Sequence, residues 1–204
     1  MYTNPVPLSK TRFAGKRLIR PTHYRFAATT PLVPVYPAEA AHIAAEAPIV
    51  FLREGEDLIP MALLSLDGAT NLFIGPDGRW LSHYVPANLR RYPFVLGRPE
   101  GRDGAELVLC IDESAGLLSE TEGEPLFGDD GEPSPFVQDV LRFLTELERN
   151  RAGARMLCAA LQQHGLMVPW PIQVSASEGA KTLGGLFRID EAAFNALPDE
   201  AFLE

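Results

Sequence analysis

Cysteine is scarce in this chain, and long apolar runs are missing. Cys110 and Cys158 are the two cysteines among 204 residues, so the sequence provides neither a disulfide framework nor a pair with the spacing of zinc ligands. No stretch approaches the roughly 18 apolar residues that a membrane-spanning helix needs. The first ten residues lack the apolar segment of a secretory signal. We therefore expect a cytoplasmic protein with two reduced core thiols.

The familiar catalytic and cofactor motifs are also missing. There is no phosphate-binding glycine loop, no Gly-x-Ser-x-Gly elbow and no His-Glu-x-x-His zinc helix. None of the four histidines is followed two residues later by Asp or Glu, as the opening of a non-haem iron triad requires. The segment Asp129-Asp-Gly-Glu132 lacks the alternating ligands and the distant Glu of a calcium-binding EF-hand. The sequence therefore predicts no metal and no cofactor.

Charge is unevenly distributed along the chain. The net charge is −9, yet residues 1–38 contain six basic side chains and no acidic one. One interpretation is a basic arm for phosphate or nucleic acid. The favoured interpretation is that this arm packs on the acidic body of its own chain. The basic residues are sparse, few aromatic residues accompany them, and an acidic body repels nucleic acid.

The residue pattern predicts a single α+β domain over 1–204, with a mainly antiparallel sheet of short strands and hairpins. The first 37 residues are rich in proline, so we expect an extended segment docked on the body. A short helix is predicted over 37–47. Strands are predicted at 49–52, 59–66, 71–74, 79–85 and 105–111, with a second hairpin formed by 170–175 and 183–189.

One long helix, over about 134–163, is predicted to pack on this sheet. Ser134 is a good N-cap, Pro135 suits the first helical position, and Gly165 suits the position after the end. An apolar stripe follows helical spacing: Phe136, Val140, Leu144, Leu147, Ala154, Cys158 and Leu161. Short helices are predicted at 191–197 and from Pro198 onward. The last is so short that we expect it to dock on the body or to continue beyond Glu204.

The candidate binding residues lie between Arg79 and Phe94. His83, Arg90, Arg91 and Tyr92 supply an imidazole, two guanidinium groups and a ring, which suit a carboxylate or phosphate. The alternative interpretation is a strand and turn whose aromatics are core and whose arginines pair with acids. Adjacent residues of a helical turn point about 100° apart. One arginine should therefore face inward and pair with Asp112 or Glu113.

The segment from 112 to 133 is acidic and broken by glycines, and it is predicted to be a long surface loop. Cys110 precedes it, next to Asp112 and Glu113. Negative neighbours raise a thiol's pKa, and Cys110 sits in an apolar run, so it is interpreted as a core cysteine instead of a nucleophile.

Six short motifs together resemble the bacterial SapC family, named for a surface-layer-associated protein. They are Asn4-Pro-Val-Pro-Leu8, Pro48-Ile-Val-Phe51, Pro86-Ala-x-x-Arg90-Arg-Tyr-Pro-Phe94, Leu109-Cys-Ile-Asp-Glu113, Gly123-Glu-Pro-Leu-Phe127 and Gly131-Glu-Pro-Ser-Pro135. The resemblance covers nearly the whole chain and implies that a further helical stretch follows Glu204. It brings no catalytic residues, and it implies surface-layer association by name alone.

The leading hypothesis is a non-enzymatic accessory or binding protein of the SapC type, acting with a peptide or protein partner. The second is an enzyme acting on amino acids or peptides, with a site near His83, Arg90, Arg91 and Asp112. A nucleic-acid binder using the basic arm ranks third. A concave pocket that gathers two or more of these polar groups favours the enzyme, whereas their dispersal over a convex surface favours the binding protein.

Overall fold

The structure is a computed structural model, and it describes residues 1–98, 107–176 and 179–202. These residues form six α-helices: α1 (Lys10–Phe13), α2 (Ala40–Ala44), α3 (Ala87–Arg90), α4 (Pro135–Gln163), α5 (Glu191–Asn195) and α6 (Asp199–Phe202). They also form thirteen strands: β1 (Pro5–Pro7), β2 (Arg17–Leu18), β3 (Leu32–Pro34), β4 (Ile49–Glu54), β5 (Asp57–Leu63), β6 (Phe94–Gly97), β7 (Val108–Asp112), β8 (Leu118–Ser119), β9 (Glu124–Pro125), β10 (Met167–Pro169), β11 (Ile172–Ala176), β12 (Gly179–Leu183) and β13 (Leu186–Ile189).

The strands make four antiparallel sheets instead of one. The largest has the order β10-β13-β4-β5-β3, and a three-stranded sheet has the order β1-β7-β6. A second three-stranded sheet, β8-β2-β9, and the hairpin β11-β12 complete the set. The mixture of helices with antiparallel sheets confirms the α+β prediction.

Helix α4 has the ends that the sequence predicts. The Ser134 hydroxyl accepts a hydrogen bond from the Val137 amide, and Pro135 is the first helical residue. At the other end Gly165 takes a left-handed φ of 67°. There the Leu166 amide donates to the Leu161 carbonyl, as in a Schellman cap. With 29 residues, the helix is about 44 Å long.

Two regions of the core lie along this helix. Val137, Leu144 and Leu147 pack in a cluster with Phe94 and Ile111, whose strands belong to the sheet β1-β7-β6. Further along, Cys158 packs in a cluster with Phe51 and Leu58, which come from the five-stranded sheet. The apolar stripe of α4 therefore covers parts of both large sheets, which is the packing that the sequence predicts.

The strand predictions at 71–74 and 79–85 were wrong. These residues form no strand beyond one isolated bridge between Ile74 and Trp80. Side chains take over part of the hydrogen bonding that strand partners would provide. Asn71 Oδ1 accepts from the Phe73 amide, while the Glu46 carboxylate accepts from the amides of His83 and Tyr84 and from a neighbouring serine hydroxyl.

Other differences concern strand length and pairing. The hairpin of β4 and β5 forms at the predicted turn, but β5 ends at Leu63. Strand β7 begins at Val108, and its predicted start at 105–106 lies outside the described residues. Strands β1 and β6 were not predicted. The second hairpin exists as β11 and β12, whereas β13 pairs with β10 and β4.

The acidic segment after Asp112 is not the simple surface loop that its composition predicts. Its strands β8 and β9 both pair with β2 of the N-terminal segment, and Leu126 is fully buried. Gly123, with φ of 94°, is needed here, because a Cβ atom would lie 2.2 Å from the Leu18 carbonyl oxygen.

The basic N-terminal segment lies on the acidic residues of its own chain, as predicted. Three ion pairs join them: Arg12 with Glu113 at 2.5 Å, Lys16 with Glu120 at 2.7 Å and Arg20 with Glu124 at 3.3 Å. Strand β1 also pairs with β7. These partners account for three of the six basic residues in the segment.

Asp112 fixes the start of the chain. Its side chain is 1% exposed and accepts hydrogen bonds from the backbone amides of Thr3, Asn4 and Ser114 at 2.8 to 3.1 Å. A buried carboxylate needs such donors, because burial without them is strongly unfavourable. Asp112 is therefore a structural residue of this fold.

We predict that Leu144→Ala lowers the free energy of unfolding by about 2 to 5 kcal/mol, because Leu144 is 1% exposed in the core. Leu141→Ala, on the same helix but 44% exposed, is the matched control and should change stability by less than about 1 kcal/mol. Urea melts of both variants measure this, and equal effects would contradict the packing described for α4.

We also predict that Asp112→Ala loosens the N-terminus. Losing charge-assisted hydrogen bonds should lower the free energy of unfolding by about 1.5 to 3 kcal/mol and speed amide exchange at Thr3 and Asn4. Glu113→Gln removes only an exposed ion pair with Arg12 and should leave the unfolding midpoint nearly unchanged. Unchanged exchange at Thr3 in the Asp112 variant would refute this anchoring role.

Candidate functional site

A cleft of about 470 Å³ lies between the N-terminal segment, the region of α3 and the first turns of α4. We call it the arginine cleft. Its lining residues come from these three regions: Leu18, Arg20, Pro21, Tyr24, Phe26, Leu89, Arg90, Arg91, Tyr92, Phe94, Phe136, Asp139, Val140 and Phe143. This volume falls in the range of about 300 to 1,000 Å³ that is usual for ligand sites.

Aromatic rings make up much of the wall, and they are packed on one another. The rings of Phe26 and Tyr92 stack with centroids 3.9 Å apart, and Phe94 meets Phe136 edge to face at 5.9 Å. Tyr24 packs beside Phe26 at 5.9 Å. These contacts make the wall a preformed apolar surface.

Arg90 is held by two rings and two hydrogen bonds. Its guanidinium carbon lies 5.5 Å from the Tyr84 ring centroid and 5.4 Å from that of Phe143. Its Nε donates to the Val85 carbonyl oxygen, and its Nη2 donates to the Tyr84 hydroxyl, both at 3.1 Å. A guanidinium has five N–H donors, so three of them are not used by these two bonds.

Arg91 points more toward the body than Arg90 does, as predicted for one of the two, but the predicted carboxylate partner was wrong. Its guanidinium carbon lies 5.7 Å from the Tyr2 ring centroid. Its buried Nε has no hydrogen-bond partner among the described residues. Asp112 and Glu113 were expected to neutralise it, yet their oxygens are engaged by the N-terminal segment.

The charges in the cleft do not cancel. Among its described lining residues are three arginines and one acid, Asp139, and Arg142 already bonds the Oδ1 atom of Asp139. Arg20 pairs with Glu124 at the exposed edge, but no ion pair involves Arg90 or Arg91 in the described part of the chain. The cleft is thus a positively charged site on a chain with net charge −9.

The structure brings together half of the predicted site residues. Arg90, Arg91 and Tyr92 line the cleft. His83 does not, because its fully exposed side chain lies 3.5 Å from Glu46. Asp112 and Glu113 hold the N-terminal segment and also lie outside the lining. The groups gathered in the cleft can bind an anion, while His83, Asp112 and Glu113 lie elsewhere.

A larger groove, of about 560 Å³, lies beside the second half of α4. Apolar side chains such as Leu157, Phe51 and Trp170 dominate its lining, and Arg188 and Glu191 are its charged members. It contains none of the six predicted site residues. Because Arg188 and Glu191 are opposite in sign, the described lining of this groove has no charge excess that would select a ligand.

The described residues bring no three His, Cys, Asp or Glu side chains together as a metal ion would require. Both cysteines are buried and free. Burial raises the pKa of the Cys110 thiol, and it raises that of Cys158 to about 11, with Asp57 adding to the effect. Neither thiol lines the arginine cleft.

Comparison with known proteins gives one match. The family model described as SapC matches residues 8–204. The chain belongs to the SapC family. No curated protein and no solved structure matches it. In the part of this SapC chain that the structure describes, no helix combines the length and the apolar character needed to cross a bilayer.

Sequence reasoning missed most of the wall that surrounds Arg90 and Arg91 in this SapC chain. Tyr24 and Phe26 lie more than 60 residues before them, and Phe136 and Phe143 lie more than 40 residues after them. In the sequence, nothing distinguishes these aromatic residues from residues that pack in the core. One signal was present: Phe136 and Phe143 are seven residues apart, which places them on one face of the predicted helix.

We predict that both cysteines react slowly with thiol reagents in the native protein. A shift of the Cys158 pKa to about 11 lowers the thiolate fraction at neutral pH about a hundredfold relative to an ordinary thiol, and burial blocks access to both. Labelling measured by mass spectrometry should be slow natively and rapid in urea. Fast native labelling of Cys110 would revive it as a nucleophile.

Proposed function

We propose that this SapC-family chain is a non-enzymatic binding protein that holds an anionic part of a peptide or protein partner in the arginine cleft. The observation that carries the proposal is the pair Arg90 and Arg91, which line one cleft without a carboxylate partner among the described residues. Guanidinium groups held against rings are well suited to bind carboxylates, since less of their freedom is lost on binding.

The chemistry of the lining favours binding over catalysis. Arginine stays protonated in proteins, so Arg90 and Arg91 can stabilise an anion but cannot act as general bases. The described lining contains no histidine, cysteine, serine, threonine or lysine. Asp139 and the hydroxyls of Tyr24 and Tyr92 are the groups in it that could exchange a proton.

An enzyme acting on amino acids or peptides is the second candidate. The gathering of Arg90 and Arg91 in a concave cleft favours it. The separation of His83 and Asp112 from that cleft weighs against it. Surface-layer association, which only the family name suggests, and a cytoplasmic location both stay predictions.

The test is selection from a random peptide library displayed on phage, followed by affinity measurement with synthetic peptides. We expect selected peptides to bear a carboxylate and to lose affinity about tenfold or more for Arg90→Gln, since hydrogen bonds to charged groups contribute about 1.5 to 3 kcal/mol. Arg149→Gln is the matched control, because Arg149 lies on α4, pairs with Glu146 and is not among the lining residues of the cleft.

Thermal melts of each variant separate lost binding from lost folding. Peptides that bind wild type and the folded Arg90 variant equally would refute the cleft as the binding site. Turnover of a selected peptide by wild type, abolished in the Arg90 variant, would instead favour the enzyme.

A further inference from the structure

We infer that the arginine cleft recognises the free C-terminal carboxylate of a peptide whose last residue has an aromatic side chain. This inference rests on the proposed function and specifies its ligand. The ligand chemistry has three parts, namely a single negative charge, a flat apolar side chain and a neighbouring N–H group. Each part corresponds to a separate feature of the cleft.

The negative charge is matched by the unused donors of Arg90 and by the positive charge of Arg91. Arg90 is fixed between the rings of Tyr84 and Phe143, with three N–H groups left over. Arg91 adds a buried Nε without a hydrogen-bond partner in the described chain. Buried donors in native proteins normally have an acceptor. Because this Nε has almost no accessible surface, Arg91 contributes its positive charge to the cleft, while the unused N–H groups of Arg90 are the donors that a ligand oxygen can reach.

The ligand's charge is read by the arginines that the cleft leaves without an ion pair. Arg20 pairs with Glu124 and Asp139 is bonded by Arg142, so among the described residues these are Arg90 and Arg91. Guanidinium groups bind a carboxylate through parallel N–H···O hydrogen bonds. They attract a phosphate as well, and phenyl phosphate in the experiment below distinguishes the two anions.

The aromatic side chain is matched by the ring wall. Phe26 stacks on the buried Tyr92, and Phe136 meets the buried Phe94 edge to face, so the half-buried rings of Phe26 and Phe136 are the ones that can take a further ring in the same geometries. A volume of about 470 Å³ is near the lower part of the range for ligand sites. It suits one terminal residue and its neighbour, not a long extended segment.

The N–H group is matched by Asp139. Its Oδ1 is bonded by Arg142, and no hydrogen bond to Oδ2 is found among the described residues. This oxygen can accept from the backbone amide of the terminal residue, or from the ammonium group of a free amino acid. The shared chemistry is an aromatic α-amino acid unit with a free carboxylate. We assign it to a peptide end, because a free amino acid also carries an ammonium group, whose positive charge Arg90 and Arg91 repel.

The experiment measures affinity for a set of N-acetylated peptides that differ only at the C-terminus. Acetyl-Gly-Ser-Gly-Ser-Phe with a free carboxylate should bind, and its C-terminal amide should bind about tenfold or more weakly. The same peptide ending in Ala should also bind more weakly. Because these changes are made in the peptide, they leave the folding of the protein untouched.

Two protein variants complete the set. Arg90→Gln should weaken the carboxylate peptide and bring its affinity close to that of the amide, whereas Arg149→Gln should change neither. Phe143→Leu, which keeps an apolar side chain but removes one ring beside Arg90, should weaken binding without abolishing the preference for the carboxylate.

Several results would overturn the inference. Equal affinity for acid and amide would do so, as would failure of the acid peptide to bind, or tighter binding of free N-acetyl-phenylalanine or phenyl phosphate than of the peptide. Acetyl-Gly-Ser-Phe-Asp-Gly-Ser-amide, which has a side-chain carboxylate but no C-terminal one, distinguishes the proposed function from the C-terminal assignment. If this peptide binds through Arg90 while the C-terminal carboxylate has no effect, the proposed function stands and the C-terminal assignment is wrong.

Discussion

Burial of one face of α4 is the interaction on which the rest of this structure depends. In the described residues none of the four sheets has more than five strands, and small sheets need a covering layer to be stable. The helix provides it for two of them, with Leu144 in one cluster and Cys158 in another. Its first turns also supply Phe136 and Phe143 to the arginine cleft. The same element therefore stabilises the fold and forms one wall of the candidate site.

The distribution of acidic residues decides which arginines are available for a ligand. Asp112 is occupied by backbone amides, while Glu113, Glu120 and Glu124 pair with the N-terminal segment. The acids that were expected to neutralise Arg91 therefore serve another part of the chain. Arg90 and Arg91 are held by aromatic rings instead, and rings leave the charge of a guanidinium in place.

How much could be predicted from the sequence differs between elements for physical reasons. Helix α4 could be predicted with its ends, because its cap residues and apolar stripe are local signals. The strands at 71–74 and 79–85 could not be excluded, because the side chains of Asn71 and Glu46 accept hydrogen bonds from the amides of Phe73, His83 and Tyr84. Hydrophobic alternation cannot register such bonds. The pairing of β2 with β8 and β9 joins residues about 100 positions apart, which no local pattern encodes.

Only the part of the candidate site that is local in the sequence could be predicted. Arg90, Arg91 and Tyr92 are consecutive in the chain, so the sequence alone shows that they lie close together. His83 is close in sequence, but the bonds of its segment to Glu46 place its side chain away from the cleft. The aromatic wall depends on contacts between distant segments. The sequence therefore showed the two adjacent arginines, but it did not show the cleft in which they could bind a ligand.

Anion binding in the arginine cleft is tested most directly by an NMR titration that follows the side-chain Nε–H signals of individual arginines as N-acetyl-phenylalanine is added. We expect the signals of Arg90 and Arg91 to shift together and saturate, while that of Arg149 stays in place. Uniform small shifts of all arginines, or saturating shifts at Arg149 without any at Arg90, would contradict it.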